Sequence, residues 1–184
     1  MSVESEAKIR ALTRLVLAGV TFEQVSEACR VLQRSDERAQ FYGVFFAGIC
    51  VSYTRPFMSS EGLGPLPISF SRFPDEPEHA RTHRDLEDGR NWAYAHNSPH
   101  QAGALLADES QRNSQTKVRL IVAPTGISCV PPEVTWRKAR LPAIISLCNF
   151  QIKRIRTATE KLVTHLGGNR MYADGEYIIG ETFP

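Results

Sequence analysis

Apolar residues recur at helical spacing along most of the chain. Ile9, Leu12, Leu15 and Val16 form one such stripe, and Gly19 reads as the end of a first helix. Thr21 followed by Gln24 has the form of a capping box. It predicts a second helix carrying Phe22, Val25, Ala28 and Leu32. After a break at Ser35-Asp36, residues Glu37 to Tyr53 predict a third helix, apolar enough to sit in the middle of a bundle. Arg55-Pro56 ends it, because a residue before proline is pushed out of the α region. Met58 to Glu76 is irregular and rich in Gly and Pro, with Phe70 and Phe73 as the residues that would pin it to the body. Asp75 and Pro77 are start signals for a fourth helix running to about His96, and Asn97-Ser98-Pro99 stops it.

Between Gln101 and Val134 the period changes. Val118, Leu120 and Val122 alternate with Arg119 and Ile121, and Pro124-Thr125-Gly126 turns into Ile127 to Val130, a β-hairpin signal with Ala104 to Ala107 as a candidate third strand. A last helix, starting near Glu133 or Leu141, carries Ile144, Leu147, Cys148, Ile155, Leu162 and Leu166. Pro142 starts or kinks it and Gly167-Gly168-Asn169 caps it. The expected fold is mainly α, a helical bundle with a small antiparallel β-hairpin insertion. One domain over 1–184 is expected, with the insertion at about 101–134 and a C-terminal extension at about 169–184 that docks or reaches a partner.

Composition narrows the classes. At 184 residues, 42% apolar and 23% charged, the chain suits one globular domain and excludes disorder or a two-domain nucleotide enzyme. A net charge of +2 is too balanced for binding nucleic acid by bulk attraction alone, and no DNA partner is expected. Seventeen of the 22 basic residues are Arg, whose planar fork suits phosphates and carboxylates, although a GC-rich genome gives the same skew. Cys29, Cys50, Cys129 and Cys148 are isolated in sequence and read as free thiols of a reducing compartment. The charged N-terminus lacks a signal-peptide pattern, and Phe41 to Val51 is about half the ~20 residues a membrane span needs. A cytoplasmic protein with no membrane partner is expected.

The fourth helix carries the chemistry. On a helical wheel His83, Leu86, Arg90, Ala93 and Tyr94 share an arc of about 100°, so the apolar Leu86 and Ala93 should carry His83 and Arg90 inward. An inward Arg needs a carboxylate, a carbonyl or a bound anion, and Glu87 is the nearest internal partner. Arg90 is then either a structural ion-pair member or an anion-binding group. His96 lies roughly 120° around from Arg90 and converges with it only if the helix loosens, or if the two come from different subunits. His79 and His83 have metal-ligand spacing but no third ligand, so no metal or other cofactor is expected. Arg55 either caps the third helix or reaches toward Arg90. The basic run Lys153, Arg154, Arg156 and Lys161 reads as a solvated face or as a track for an RNA backbone.

Arg90-Asn91 followed by His96 resembles the Arg-x(4 to 6)-His motif of the HEPN superfamily. The wider pattern of Tyr53-Thr54-Arg55-Pro56-Phe57, His83, Leu86 and Tyr94-Ala95-His96 is similar to HEPN-like proteins of the abortive-infection type, over about residues 37 to 100. The resemblance implies an up-and-down bundle that forms a homodimer and joins two motifs in one cleft. It implies metal-independent RNA cleavage, or RNA binding, in a defence or toxin-type context, with a protein antitoxin or defence partner. Arg90, His96 and Asn91 would be catalytic, while Arg55, His83 and Tyr94 would bind substrate. His96 would move a proton near neutral pH and Arg90 would hold charge on the phosphoryl oxygens. Ser98 stands where members modified on tyrosine carry a Tyr, so that version is not expected. Many superfamily members are inactive, and the alternative is a non-enzymatic interaction or dimerisation module whose Arg90 is a structural ion pair.

Overall fold

A computed structural model of the chain describes residues 3–36, 41–59, 63–94, 119–123, 126–130 and 138–167. Among the described residues the fold is mainly α, with four helices: α1 (Val3–Arg34), α2 (Phe41–Thr54), α3 (Pro77–Asp88) and α4 (Leu141–Gly167). The core is assembled around the pairing of α1 with α4, onto which α2 and α3 pack.

The two helices expected before Ser35 are one. α1 runs unbroken for 32 residues, roughly 48 Å at the α-helical rise. Gly19 does not end it, and the Thr21 hydroxyl donates back to the Leu17 carbonyl at 2.9 Å instead of capping a new start. The reason is tertiary. Leu12, Leu15, Ala18, Phe22, Val25, Cys29 and Leu32 form one continuous buried stripe across the glycine. Burying each large member stabilises the helix by about 1.5–3 kcal/mol, which outweighs the ~1 kcal/mol a helical glycine costs.

Against this stripe α4 sets Leu141, Ile144, Leu147, Cys148 and Ile155, all buried, together with the fully buried amide of Gln151. Pro142 is the second residue of α4, where its missing N–H costs nothing, so it starts the helix without kinking it. Gly167 is the last residue of α4, and the rest of the expected cap lies outside the described residues. α2 has no charged residue and buries Tyr42, Phe46, Ile49, Cys50 and Tyr53. The thiols of Cys29, Cys50 and Cys148 are free and meet in this core. Burial pushes the Cys29 thiol up to about 12, and it raises Cys50 and Cys148 further.

After α2, a 3-10 turn (Arg55–Phe57) leads into the loop, and a second one (Ile68–Ser71) holds the buried Phe70. Phe73 is buried as well, so the two aromatic pins expected for this segment are in place. One residue of the basic run on α4 completes the fastening. Arg154 is half-buried, not solvated. It donates to the carbonyls of Phe70, at 3.1 Å, and Ser69, while its guanidinium lies 4.9 Å from the Phe70 ring centroid. The Gln151 amide donates to the same Phe70 carbonyl at 2.8 Å.

Strands β1 (Arg119–Ala123) and β2 (Gly126–Val130) pair antiparallel, with Arg119 opposite Val130 and Ala123 opposite Gly126. The candidate strand at 104–107 and the extension at 169–184 lie outside the described residues. No helix among the described residues is long and apolar enough to cross a membrane.

Candidate functional site

α3 starts at Pro77, which supplies a preset φ, and its first turn closes through Ala80 N–H to the Glu76 carbonyl at 3.0 Å. It remains α-helical to Asp88. From Gly89 to Tyr94 the helix widens into a π turn. Such i→i+5 turns are rare and concentrate at functional sites. This one places more residues in each turn, so everything after Gly89 leaves the face an ideal wheel assigns it.

Before the widening, the wheel holds: His83 and Leu86 are both buried. His83 sits in an aromatic box, its ring 4.8 Å from that of Phe57, 5.2 Å from Phe73 and 5.7 Å from Tyr53. Its Nδ1 is 2.8 Å from the Tyr53 hydroxyl, and its Nε2 is 3.3 Å from Glu87 Oε1. A neutral imidazole satisfies both contacts in one tautomer, in which the phenol donates to Nδ1 and Nε2–H donates to the carboxylate. Burial holds the Tyr53 phenol well above its ordinary value, so it is a neutral donor. The hydrogen bond from His83, opposed by partial burial, holds the Glu87 carboxyl below its ordinary value. The result is a three-member polar chain from a fully buried phenol, through an imidazole, to a half-exposed carboxylate.

Glu87 is therefore committed to His83, not to Arg90 as the wheel predicts. Arg90, inside the π turn, is half-buried, and its Nη1 donates to Asn91 Oδ1 at 2.7 Å. Asn91 is exposed. The neighbouring amide fixes the guanidinium without cancelling its charge, which a carboxylate would do.

The predicted residues thus separate. His83 is an interior residue that communicates with the surface through Glu87. Arg90 and Asn91 form a polar pair at the surface of the π turn, and Tyr94 closes that turn. His96 lies outside the described residues. Arg55 is exposed in the 3-10 turn beyond the C-terminus of α2, and among the described residues no contact joins it to Arg90. α2 meets α3 through Tyr53 and also packs on the π turn, so α3 returns along α2 and carries Arg90 away from the Arg55 end. His79 turns elsewhere, its Nε2 3.1 Å from Ser146 Oγ on α4. Among the described residues no group of three His, Cys, Asp or Glu side chains converges as metal ligands.

Two residues of this region escaped the sequence reading in their actual roles. Glu87 was legible, since a carboxylate four residues after a His shares its helix face. The Tyr53 contact, 30 residues distant, has no local signal. No protein-family model matches the chain, no curated protein matches it, and no solved structure matches it.

Proposed function

We propose that the π turn of α3 is the phosphate-binding edge of a metal-independent, HEPN-like endoribonuclease site. The observation that carries this reading is the state of Arg90: half-buried, held by the Asn91 amide oxygen at 2.7 Å, with Glu87 drawn off to His83. A guanidinium oriented by a neutral acceptor keeps its charge for an anion, and phosphate is the anion its fork fits best. In the proposed reaction the ribose O2′ attacks the adjacent phosphorus and the P–O5′ bond breaks. His96 takes the 2′-hydroxyl proton and returns one to O5′, while Arg90 stabilises the charge on the non-bridging oxygens. A homodimer would join two such edges, and Tyr94 and Arg55 would contact the rest of the RNA.

The test is incubation of the protein with mixed RNA in chelator, beside folded Arg90→Ala and His96→Ala variants. Fragments with cyclic phosphate ends, lost in both variants, are the expected result. Absence of cleavage together with unchanged RNA retention by Arg90→Ala would overturn it.

A second reading, an interaction module for another copy or for an antitoxin or defence partner, draws on a different observation. Between α1 and α2 lies an apolar groove of about 330 Å³, bordered by Ala28, Val44, Phe45 and Gly48. Val44 is 73% exposed and Phe45 53%. Exposed apolar surface of this kind marks contact sites. Concentration-dependent dimerisation abolished by Val44→Asp, with no nuclease activity, would favour it.

A further inference from the structure

On the face where α1 meets α4, two stripes oppose one another. α1 contributes Glu23, Ser26 and Arg30, and α4 contributes Asn149, Ile152, Lys153 and Arg156, around a groove of about 470 Å³. The first set has the i, i+3, i+7 spacing and the second the i, i+3, i+4, i+7 spacing of one helix face. Three cations and one carboxylate border the groove, so its walls are net positive. The ion pairs in place there are exposed. Arg156 is 3.8 Å from Glu23 with both side chains mostly exposed, and Arg30 pairs outward with Glu27 at 3.0 Å. Exposed pairs of this kind are worth little, whereas a doubly charged phosphate engages Arg forks bidentately.

The floor supplies an independent observation. Ser26 is 1% exposed, yet its hydroxyl has no hydrogen-bond partner. Elsewhere in the helices Thr13, Thr21, Thr54 and Thr157 bond back to the carbonyl four residues earlier. Ser26 does not; the residue borders the groove floor, where its hydroxyl is closed off from solvent. A buried hydroxyl left unpaired is costly, and a ligand oxygen relieves that cost. Ile152, half-buried, provides an apolar wall beside the cations. The volume falls in the range of small-molecule sites.

The geometry points to a phosphate site here, separate from the π turn of α3, that takes the terminal phosphate of a nucleotide-sized ligand. Arg30, Lys153 and Arg156 hold the phosphate, Ser26 donates to it from below, Asn149 contributes a side-chain amide, and Ile152 packs on the ligand's apolar part.

Titration calorimetry at low salt with AMP, inorganic phosphate and adenosine tests the assignment. Saturable binding of AMP and phosphate, with none of adenosine, is expected. The Lys153→Gln/Arg156→Gln pair, two exposed residues, should weaken AMP about tenfold or more. Ser26→Ala should weaken it several-fold with an unchanged or higher melting temperature, because the removed hydroxyl has no partner in the free protein. Arg90→Ala should bind AMP as the wild type does, which keeps this site distinct from the proposed nuclease edge. Failure to bind phosphate, undiminished binding by the double variant, or loss of binding on Arg90→Ala alone would each overturn the proposal. So would competition by hydroxyl-ended RNA as tight as AMP, which would exclude a terminal monoester as the preferred group.

Discussion

His83 and Arg90 lie seven residues apart on the same stretch of helix, and the molecule treats them differently. Around His83 every polar atom is occupied and three aromatic rings close the box. Arg90 reaches only half-burial, and among the described residues its hydrogen-bond partner is the neutral side chain of its neighbour Asn91. An ionisable residue whose contacts are all internal holds the fold together. One whose charge is fixed in place but not cancelled is free to meet a ligand. The Gly89–Tyr94 widening separates the two cases, because it begins between them.

That contrast is open to measurement. His83→Ala should cost most, about 3–4 kcal/mol by urea unfolding, since it empties an aromatic box and removes one hydrogen-bond partner of the Tyr53 hydroxyl. A cost below about 1 kcal/mol would show that the box is not structural. Arg154→Met keeps the stem over the Phe70 and Phe73 rings but removes donors to two loop carbonyls, so about 2 kcal/mol is expected. Proteolysis within 63–76 should rise with it.

Glu87→Gln sharpens the comparison through pH. A carboxyl held below its ordinary value stabilises the fold above the ordinary carboxylate range, and that contribution is lost as pH falls through the lowered value. The wild type should therefore lose more stability than Glu87→Gln between neutral pH and about pH 3, with the two converging in acid. Parallel curves would remove the His83–Glu87 link from the account. Arg90→Ala should have the smallest effect, within about 0.5 kcal/mol. A loss of 3–5 kcal/mol would instead identify a buried ion pair and restore the purely structural reading.

Much of this architecture was legible in the residues. The charge-free run of α2, the helical stripe of α4, the Phe70 and Phe73 pins and the alternation at Leu120 to Val122 are all local patterns, and local periodicity reports them. The unbroken α1 was not, because Gly19 is a stop signal only where packing does not override it. Lys153 and Arg154 look equivalent as neighbours in a basic run. Only the loop folded across α4 makes one of them a fastener and leaves the other exposed at a groove. For the same reason a wheel assigns Arg90 to the interior: it assumes a constant turn, and the helix changes its turn at that place.

The three thiols packed where α1, α2 and α4 meet give the protein an internal clock. Burial, by holding all three thiols above their ordinary ionisation range, leaves almost no thiolate at neutral pH. In a Cys129→Ser background, an alkylating reagent would find Cys29, Cys50 and Cys148 only when the bundle opens, so their labelling rate counts openings. Whatever ligand or partner the protein takes, its binding would be recorded as a slowing of that rate, with no knowledge of where it sits.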